Sequence, residues 1–192
     1  MITEENIQQC DSQGIHITYD RWAELAQNAY DSELSEVDFK DIDHIVFAGM
    51  GGSGTIGDIF SSILSKKNIH TTVVKGYLLP ETVDSNTLVI TNSVSGNTAE
   101  TISILESANK KKCKTVAFSS GGIMESYCLK NNIEFRNISQ THSRRASLGN
   151  YIFSILKTLI SIFPVNQNEI TESVNKLQTI SKLISSSNLS QS

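Results

Sequence analysis

The stretch Thr87-Leu-Val-Ile-Thr-Asn-Ser-Val-Ser-Gly-Asn-Thr-Ala-Glu-Thr101 joins a short apolar run to a group of hydroxyl side chains around one glycine. The β-branched residues at 87–91 are typical of a strand, and the apolar spacing at Ile102, Leu105 and Ala108 is typical of a helix. The sequence therefore predicts a strand, a tight turn and a helix in direct succession.

Residues 93–98, here named the hydroxyl turn, contain the donors that an anion needs. Ser93, Ser95 and Thr98 can each donate a hydroxyl proton, and Gly96 lets the backbone come close to a ligand. The first free amides of the following helix point into the same space. A simple helix cap at Asn97 or Thr98 is the alternative. Because one cap needs one hydroxyl and three lie here, we favour a phosphate site.

A second strand, turn and helix comes earlier in the chain. The apolar run at 45–48 is followed by Gly49-Met-Gly-Gly-Ser-Gly54, here named the glycine turn, and then by a helical pattern through Ile59, Ile63 and Leu64. The repetition of this arrangement indicates that both turns follow parallel strands of one sheet.

The fold class follows from the alternation of strands and helices. Further strands are predicted at 71–74, 115–118 and 133–135, with a helix candidate at 123–130 and a leading helix at 17–34. This pattern indicates an α/β fold with a three-layer, five-stranded parallel, flavodoxin-like sheet flanked by helices. The almost wholly apolar stretch 146–163 predicts a helix buried in a core or against another subunit.

The predicted domain covers residues 1–165, with its core at about 18–165. A C-terminal helix and a polar, frayed tail are expected at 166–192, as a connection toward a second domain.

Ligands bind open parallel sheets outside the carboxyl ends of the strands, where the strand order switches direction. In the order inferred here, the first and third strands flank that crevice. The turn at 119–122 is either a further contributor or a plain turn. We expect these residues to face one another across the crevice: Gly51, Gly52 and Ser53 from the glycine turn, and Ser93, Ser95 and Thr98 from the hydroxyl turn.

Composition excludes several classes of function. The chain has 192 residues and a formal net charge of −4, which gives no general attraction for nucleic acid or an anionic membrane. The cysteines at 10, 113 and 128 are odd in number and lack metal-ligand spacing, which argues against a disulfide framework and a zinc site. We expect no metal and no cofactor. Without a signal-peptide pattern or a membrane-spanning apolar run, we expect a cytoplasmic protein.

Two other phosphate motifs were weighed against the glycine turn. Its sequence satisfies the dinucleotide pattern G-x-G-x-x-G, but Lys75 follows the next strand where that pattern requires an acidic residue. A lysine can accommodate a ribose phosphate, so NADP remains an alternative. In that case the hydroxyl turn would have no ligand to bind. A Walker loop is excluded because Asp58 follows Gly57 where lysine is required.

Three motifs together carry a resemblance to a known family. Gly49-Met-Gly-Gly-Ser-Gly54, Ser93-Val-Ser-Gly-Asn-Thr98 and Ser143-Arg-Arg-Ala-Ser-Leu-Gly149, the last opening an apolar helix, occur in that order. This arrangement resembles the sugar isomerase (SIS) domain over roughly residues 18–165. Within that superfamily it is most similar to the first half of the bifunctional phosphoglucose/phosphomannose isomerases.

The resemblance implies a function and a set of site residues. It implies aldose–ketose isomerisation of a phosphorylated sugar by two SIS domains, in a protein that dimerises. The hydroxyl turn would hold the phosphate through Ser93, Ser95 and Thr98, and the glycine turn would line the sugar through Gly51, Gly52 and Ser53. Arg145 matches the family's arginine, which stabilises the charge of an enediolate.

The chain also departs from the family pattern. Arg144 replaces a proline, Thr55 extends the glycine turn where isoleucine is usual, and Val94 replaces a tyrosine. The family's general base and ring-opening histidine belong to the second SIS domain, so a noncatalytic sugar-phosphate module is the alternative function. Locally, His142 is the best-placed titratable group. Glu100 is expected to be structural, and Arg144 is expected to meet solvent or a surface carboxylate.

Overall fold

The computed structural model describes residues 3–191. Strands and helices alternate through most of the chain. The strands are β1 His44–Ala48, β2 His70–Val74, β3 Thr87–Asn92, β4 Lys114–Ser119 and β5 Glu134–Asn137. The helices are α1 Glu4–Cys10, α2 Ile15–Asp20, α3 Trp22–Tyr30, α4 Gly52–Leu64, α5 Ala99–Lys110, α6 Gly122–Asn131, α7 Leu148–Thr158 and α8 Gln167–Ile184, followed by a 3-10 helix at Ser186–Gln191.

The five strands form one parallel sheet in the order β2-β1-β3-β4-β5. Every residue of β1 and β3 is buried, because helices cover both faces of the sheet. The predicted α/β, flavodoxin-like fold is therefore confirmed. Ala48 pairs with Thr91, so the glycine turn and the hydroxyl turn leave the same edge of the sheet side by side.

Aromatic packing joins α4 to the sheet and to the segment after α7. Phe60 of α4 is fully buried, and its ring centroid lies 5.8 Å from that of Phe47 in β1 and 4.6 Å from that of Phe163. On the opposite face of the sheet, Val89 clusters with Ile104 of α5. The two apolar layers enclose the sheet and hold α4 and α5 against its two faces.

The ends of several predicted helices differ from the prediction. The leading helix is two helices, α2 and α3, because Arg21 leaves helical geometry with φ −95° and ψ 7°. The helix expected at 146–163 covers only 148–158 and gives way to turns before Pro164. In the tail, 3-10 geometry covers Ser186–Gln191 with a break at Asn188, and Asp20 accepts hydrogen bonds from the Ser186 amide and hydroxyl at 3.2 and 2.6 Å; that the tail frays stays a prediction. Ser192 lies outside the described residues.

The apolar helix α7 is buried within this chain. Tyr151, Ile155 and the following Leu159 are fully buried and belong to the main core, to which α8 contributes Ile170. A subunit interface at this helix, and a connection from 166–192 to a second domain, stay predictions. Within residues 3–191, no helix combines the length and apolarity needed to cross a membrane.

A pair of histidines lies at the amino end of the sheet, away from both turns. The ring centroids of His44 in β1 and His70 in β2 are 4.6 Å apart, and Nε2 of the buried His44 lies 2.9 Å from the Thr72 hydroxyl. Burial, together with His70, lowers the pKa of His44 below its usual value, while Asp43 and Asp84 oppose the shift. The folded protein therefore favours neutral His44.

We expect His44 to make the protein less stable in mild acid. Below a pH of about 6.5 the unfolded chain protonates this imidazole before the folded chain does, so the free energy of unfolding falls with pH down to the lowered pKa. Urea unfolding at pH 8, 6.5 and 5 should show a smaller decline in His44→Gln than in the unsubstituted protein. His142→Gln, at an exposed histidine, serves as the control. Equal declines in the unsubstituted protein and His44→Gln would contradict this explanation.

Candidate functional site

The hydroxyl turn is a compact loop with its donors on the inside. The Ser93 and Thr98 side-chain oxygens lie 2.8 Å apart, and the Gly96 amide donates to the Ser93 carbonyl at 2.9 Å. Gly96 has φ +65°, a backbone conformation that glycine adopts without strain. Thr98 is the residue before α5, yet its side chain makes no capping hydrogen bond. The helix-cap interpretation of Thr98 is therefore wrong.

The β4–α6 turn, residues 119–122, packs against the hydroxyl turn. The Ser120 hydroxyl donates to the Val94 carbonyl at 2.6 Å, and the Met124 amide donates to the Gly96 carbonyl at 2.9 Å. The Asn97 side-chain oxygen accepts from the Ile123 amide at 3.0 Å, so Asn97 is engaged with α6 rather than with α5. These contacts make residues 119–122 a supporting turn, and the alternative in which they contribute to the site is not supported.

The glycine turn packs closely against the end of β3. A Cβ added at Gly49 would lie 2.9 Å from both the Asn92 carbonyl oxygen and Ser53 Cβ. Gly51 has φ +55°, which ends the turn, and no side chain caps α4. The amino end of α4 therefore opens toward the hydroxyl turn, and its first amides carry the positive end of the helix dipole.

A cavity of about 560 Å³ lies between the two turns. Its walls include all seven predicted site residues: Gly51, Gly52, Ser53, Ser93, Ser95, Thr98 and Arg145. The structure thus brings together residues that are up to 94 positions apart in the chain (51 and 145). What each of them binds stays a prediction.

Two guanidinium groups line this cavity. Arg144 is exposed to solvent, as expected, and it also lies on the cavity wall beside Arg145, which was not predicted. This position on the wall was missed because the sequence predicts a helix from Ala146, whereas 144–147 form turns and α7 begins at Leu148. Neither arginine has an ion-pair partner among residues 3–191. Their charges are therefore available to an anion.

Few other ionisable groups reach the cavity. Glu100, expected to be structural, lines the wall from the first turn of α5. Tyr151 also lines it, but its hydroxyl donates to the Ile138 carbonyl at 2.9 Å and burial raises the pKa of this phenol. His142 lies outside the lining and places Nε2 2.9 Å from the Gln13 carbonyl oxygen. His142 is thus not a local substitute for the missing base.

The lysine that kept NADP as an alternative is occupied elsewhere. Lys75 Nζ lies 2.6 Å from the Asp58 carboxylate of α4, at the surface and outside the cavity lining. An exposed pair of this kind contributes little stability. A Cβ at Gly54 would lie 3.0 Å from two carbons of the Lys75 side chain, so this side chain packs against the glycine turn, but its ammonium pairs with Asp58. No feature of this geometry favours a dinucleotide over a smaller anion. Absence of a cofactor stays a prediction.

Sequence reasoning missed several walls of the cavity. Ser147, Leu148 and Tyr151 form one side, and Met50 with Ile56 forms another. Ser147 and Leu148 lie within the arginine motif 143–149 and Tyr151 follows it, so their position after Arg145 was the available signal. The sequence did not identify Met50 and Ile56 as cavity-wall residues, because apolar side chains at such positions are equally typical of a hydrophobic core.

Comparisons with known proteins agree on one family. A family model described as the SIS domain matches residues 38–161. The bifunctional phosphoglucose/phosphomannose isomerase of Caldicellulosiruptor bescii is 35% identical over 164 residues, covering 82% of this chain and 48% of the relative. That of Thermoplasma acidophilum is 52% identical over 79 residues, covering 41% of this chain and 25% of the relative.

Solved structures agree on the fold. Tagatose-6-phosphate ketose/aldose isomerase from Escherichia coli aligns with a TM-score of 0.57 at 16% identity, covering 88% of this chain and 51% of that chain. The C-terminal domain of glucosamine-fructose-6-phosphate aminotransferase from Francisella tularensis gives a TM-score of 0.58 at 17% identity, covering 88% and 54%. The chain spans about half the length, or less, of the curated relatives it matches.

Proposed function

Because this chain belongs to the SIS domain family, we propose that it binds a sugar phosphate in the cavity between the glycine turn and the hydroxyl turn. Together with a second SIS domain, it would interconvert glucose 6-phosphate or mannose 6-phosphate with fructose 6-phosphate. The observation that carries the proposal is one cavity whose wall combines a hydroxyl turn, two helix amino ends and two unpaired guanidinium groups. That combination suits a dianionic ester.

The phosphate is assigned to the hydroxyl turn. Ser93, Ser95 and Thr98 supply hydroxyl donors, and the first amides of α5 supply backbone donors along the helix axis. The supporting turn holds this loop in place before the ligand arrives, which reduces the entropy lost on binding. The sugar then extends toward Gly51, Gly52 and Ser53.

Arg145 is assigned to the reacting end of the sugar. Moving a carbonyl between C1 and C2 requires ring opening, removal of the proton next to the carbonyl and passage through an enediolate. A cation held near the developing oxyanion lowers the energy of that intermediate. Arg145 would supply this cation, and Arg144 would add positive charge at the same wall.

The general base and the ring-opening group are assigned to the second SIS domain. Among the described lining residues, Glu100 is the single carboxylate, and no histidine lines the cavity. This observation also supports the second candidate, a noncatalytic sugar-phosphate module. The partner would be a second SIS domain or a second copy of this chain, in the cytoplasm.

Removing one phosphate donor is expected to weaken binding without unfolding the domain. Ser95→Ala and Thr98→Ala should each cost about 1.5 to 3 kcal/mol of binding free energy, the usual range for a hydrogen bond to a charged group. Titration calorimetry with glucose 6-phosphate and fructose 6-phosphate measures the effect. Thr98→Ser keeps the hydroxyl and Ser62→Ala lies near the far end of α4, so both should retain affinity. Unchanged affinity in both alanine variants would rule out the assignment.

A coupled assay distinguishes the two candidate functions. The chain is assayed alone and mixed with the C-terminal half of the Caldicellulosiruptor bescii relative, with mannose 6-phosphate and glucose 6-phosphate as substrates. Turnover that appears only in the mixture supports the isomerase proposal. Retained binding with no turnover in either sample supports the noncatalytic module.

A further inference from the structure

Asn92, the last residue of β3, carries a buried amide that the proposed function does not use. Its side chain is 3% exposed, and neither the oxygen nor the nitrogen of the amide has a hydrogen-bond partner among the protein atoms described. A buried amide left in this way costs about 1 to 3 kcal/mol, so such a group calls for a physical explanation.

Asn92 lines a small chamber beside the main cavity. The chamber has a volume of about 10 Å³, close to the room that one water molecule needs. Ser53 and Ile56 belong to the walls of both the chamber and the main cavity. The chamber is therefore separated from the sugar-phosphate site only by the first turn of α4.

The chamber has few polar groups, and they suit one water molecule. Apart from Asn92 and Ser53, its wall consists of apolar residues and glycine: Phe47, Ala48, Ile56, Gly57, Ile90 and Ile155. The Asn92 amide offers donors and an acceptor, and the Ser53 hydroxyl offers one donor and acceptor lone pairs. The Ser53 hydroxyl makes no hydrogen bond to the other described residues. A water that joins the two side chains would give each of them one hydrogen bond.

We propose that Asn92 holds one buried water in this chamber and, through that water, fixes the Ser53 hydroxyl and the first turn of α4 at the wall of the main cavity. Asn92 is thus a positioning residue for the sugar-phosphate site, and this role rests on the function proposed above. The backbone supports the same coupling, because Ser53 Cβ and the Asn92 carbonyl oxygen both approach the same point beside Gly49 to 2.9 Å. Both residues therefore pack against Gly49, through which a shift at Asn92 is passed to Ser53.

Substitutions of Asn92 separate positioning from packing. Asn92→Leu keeps the number and branching of the side-chain heavy atoms and removes the amide, so it should fold with an unchanged or higher melting temperature and weaken glucose 6-phosphate binding about tenfold, as for one lost hydrogen bond. Asn92→Ser leaves room for a second water and keeps a polar group, so affinity should stay within about threefold. If the role were packing alone, the order would be reversed, with leucine retained and serine impaired. Either that reversal or equal affinity in all three proteins would overturn the proposal.

A double-substitution cycle tests whether Asn92 acts through Ser53. In the Ser53→Ala background, Asn92→Leu should weaken glucose 6-phosphate binding by less than about twofold, because the group that the water positions is already absent. Fully additive effects would overturn the proposed route.

The water itself is tested on the free protein by oxygen-17 magnetic relaxation dispersion. One long-lived internal water should be present in the unsubstituted protein, at least one should be present in Asn92→Ser, and none should remain in this chamber in Asn92→Leu. Equal numbers of long-lived waters in the unsubstituted protein and Asn92→Leu would overturn the proposal. Because this measurement needs no ligand, failure of the sugar-phosphate function and failure of the water site give different results.

Discussion

Gly96→Ala is expected to unfold the hydroxyl turn and to destabilise the whole domain by about 3 to 5 kcal/mol. A Cβ at this position would overlap the Gly121 carbonyl oxygen and lie 2.8 Å from the Gly121 carbonyl carbon and 3.0 Å from the Ser119 hydroxyl. The backbone atoms of Gly121 cannot move aside as the end of a flexible side chain would. The φ of +65° adds strain for any residue with a Cβ.

Urea unfolding and phosphate-ester binding together measure this effect. Gly96→Ala should unfold at much lower urea and show no binding of fructose 6-phosphate. Gly76→Ala is the matched control, since a Cβ at Gly76 meets no atom within 4 Å and its φ lies outside the left-handed range. That control should stay within about 0.5 kcal/mol of the unsubstituted protein. A Gly96→Ala protein with normal stability would show that the hydroxyl turn and the supporting turn are not in contact.

Phe60→Ala should lower the free energy of unfolding by about 3 to 5 kcal/mol, the usual cost of truncating a buried phenylalanine. Phe60 is fully buried between Phe47 and Phe163, with centroid distances of 5.8 and 4.6 Å. The substitution leaves a cavity where α4, the sheet and the segment after α7 meet. Because α4 carries the glycine turn at its amino end, loss of this packing should also loosen the site.

Thermal and urea unfolding of Phe60→Ala check this prediction against two controls. Phe60→Leu keeps much of the buried volume and should lose less stability than alanine. Leu129→Ala removes a side chain that is 70% exposed, so it should change the free energy of unfolding by about 0.5 kcal/mol or less. A loss for Phe60→Ala no larger than for Leu129→Ala would show that the aromatic packing does not hold α4.

The fold was predictable because its signals are local. Strands β1 to β4 each contain consecutive β-branched residues, and the turns after β1 and β3 contain the glycine and hydroxyl residues that mark where those strands end. Strand order follows from parallel pairing and from the rule that places ligands at the switch point. Once the glycine turn and the hydroxyl turn are both placed at that edge of the sheet, their convergence on one cavity follows.

What was mispredicted depends on geometry that no local pattern encodes. His142 has φ +50° and lies next to Gln13, a residue from the other end of the chain. Arg144 reaches the cavity because the helix after it begins two residues later than its apolar pattern suggests. The supporting role of residues 119–122 rests on contacts from Ser120 and the start of α6 to the hydroxyl turn, and the composition of that turn is the same for a ligand loop and a plain turn.

The supporting turn has a further consequence for the effects of amino-acid substitutions in this chain. Since Ser120 and the start of α6 hold the hydroxyl turn in its binding shape, ligand affinity and thermal resistance should rise and fall together for substitutions there. A genetic screen for loss of the proposed activity would then recover changes at residues 119–122, which lie outside the lining of the cavity.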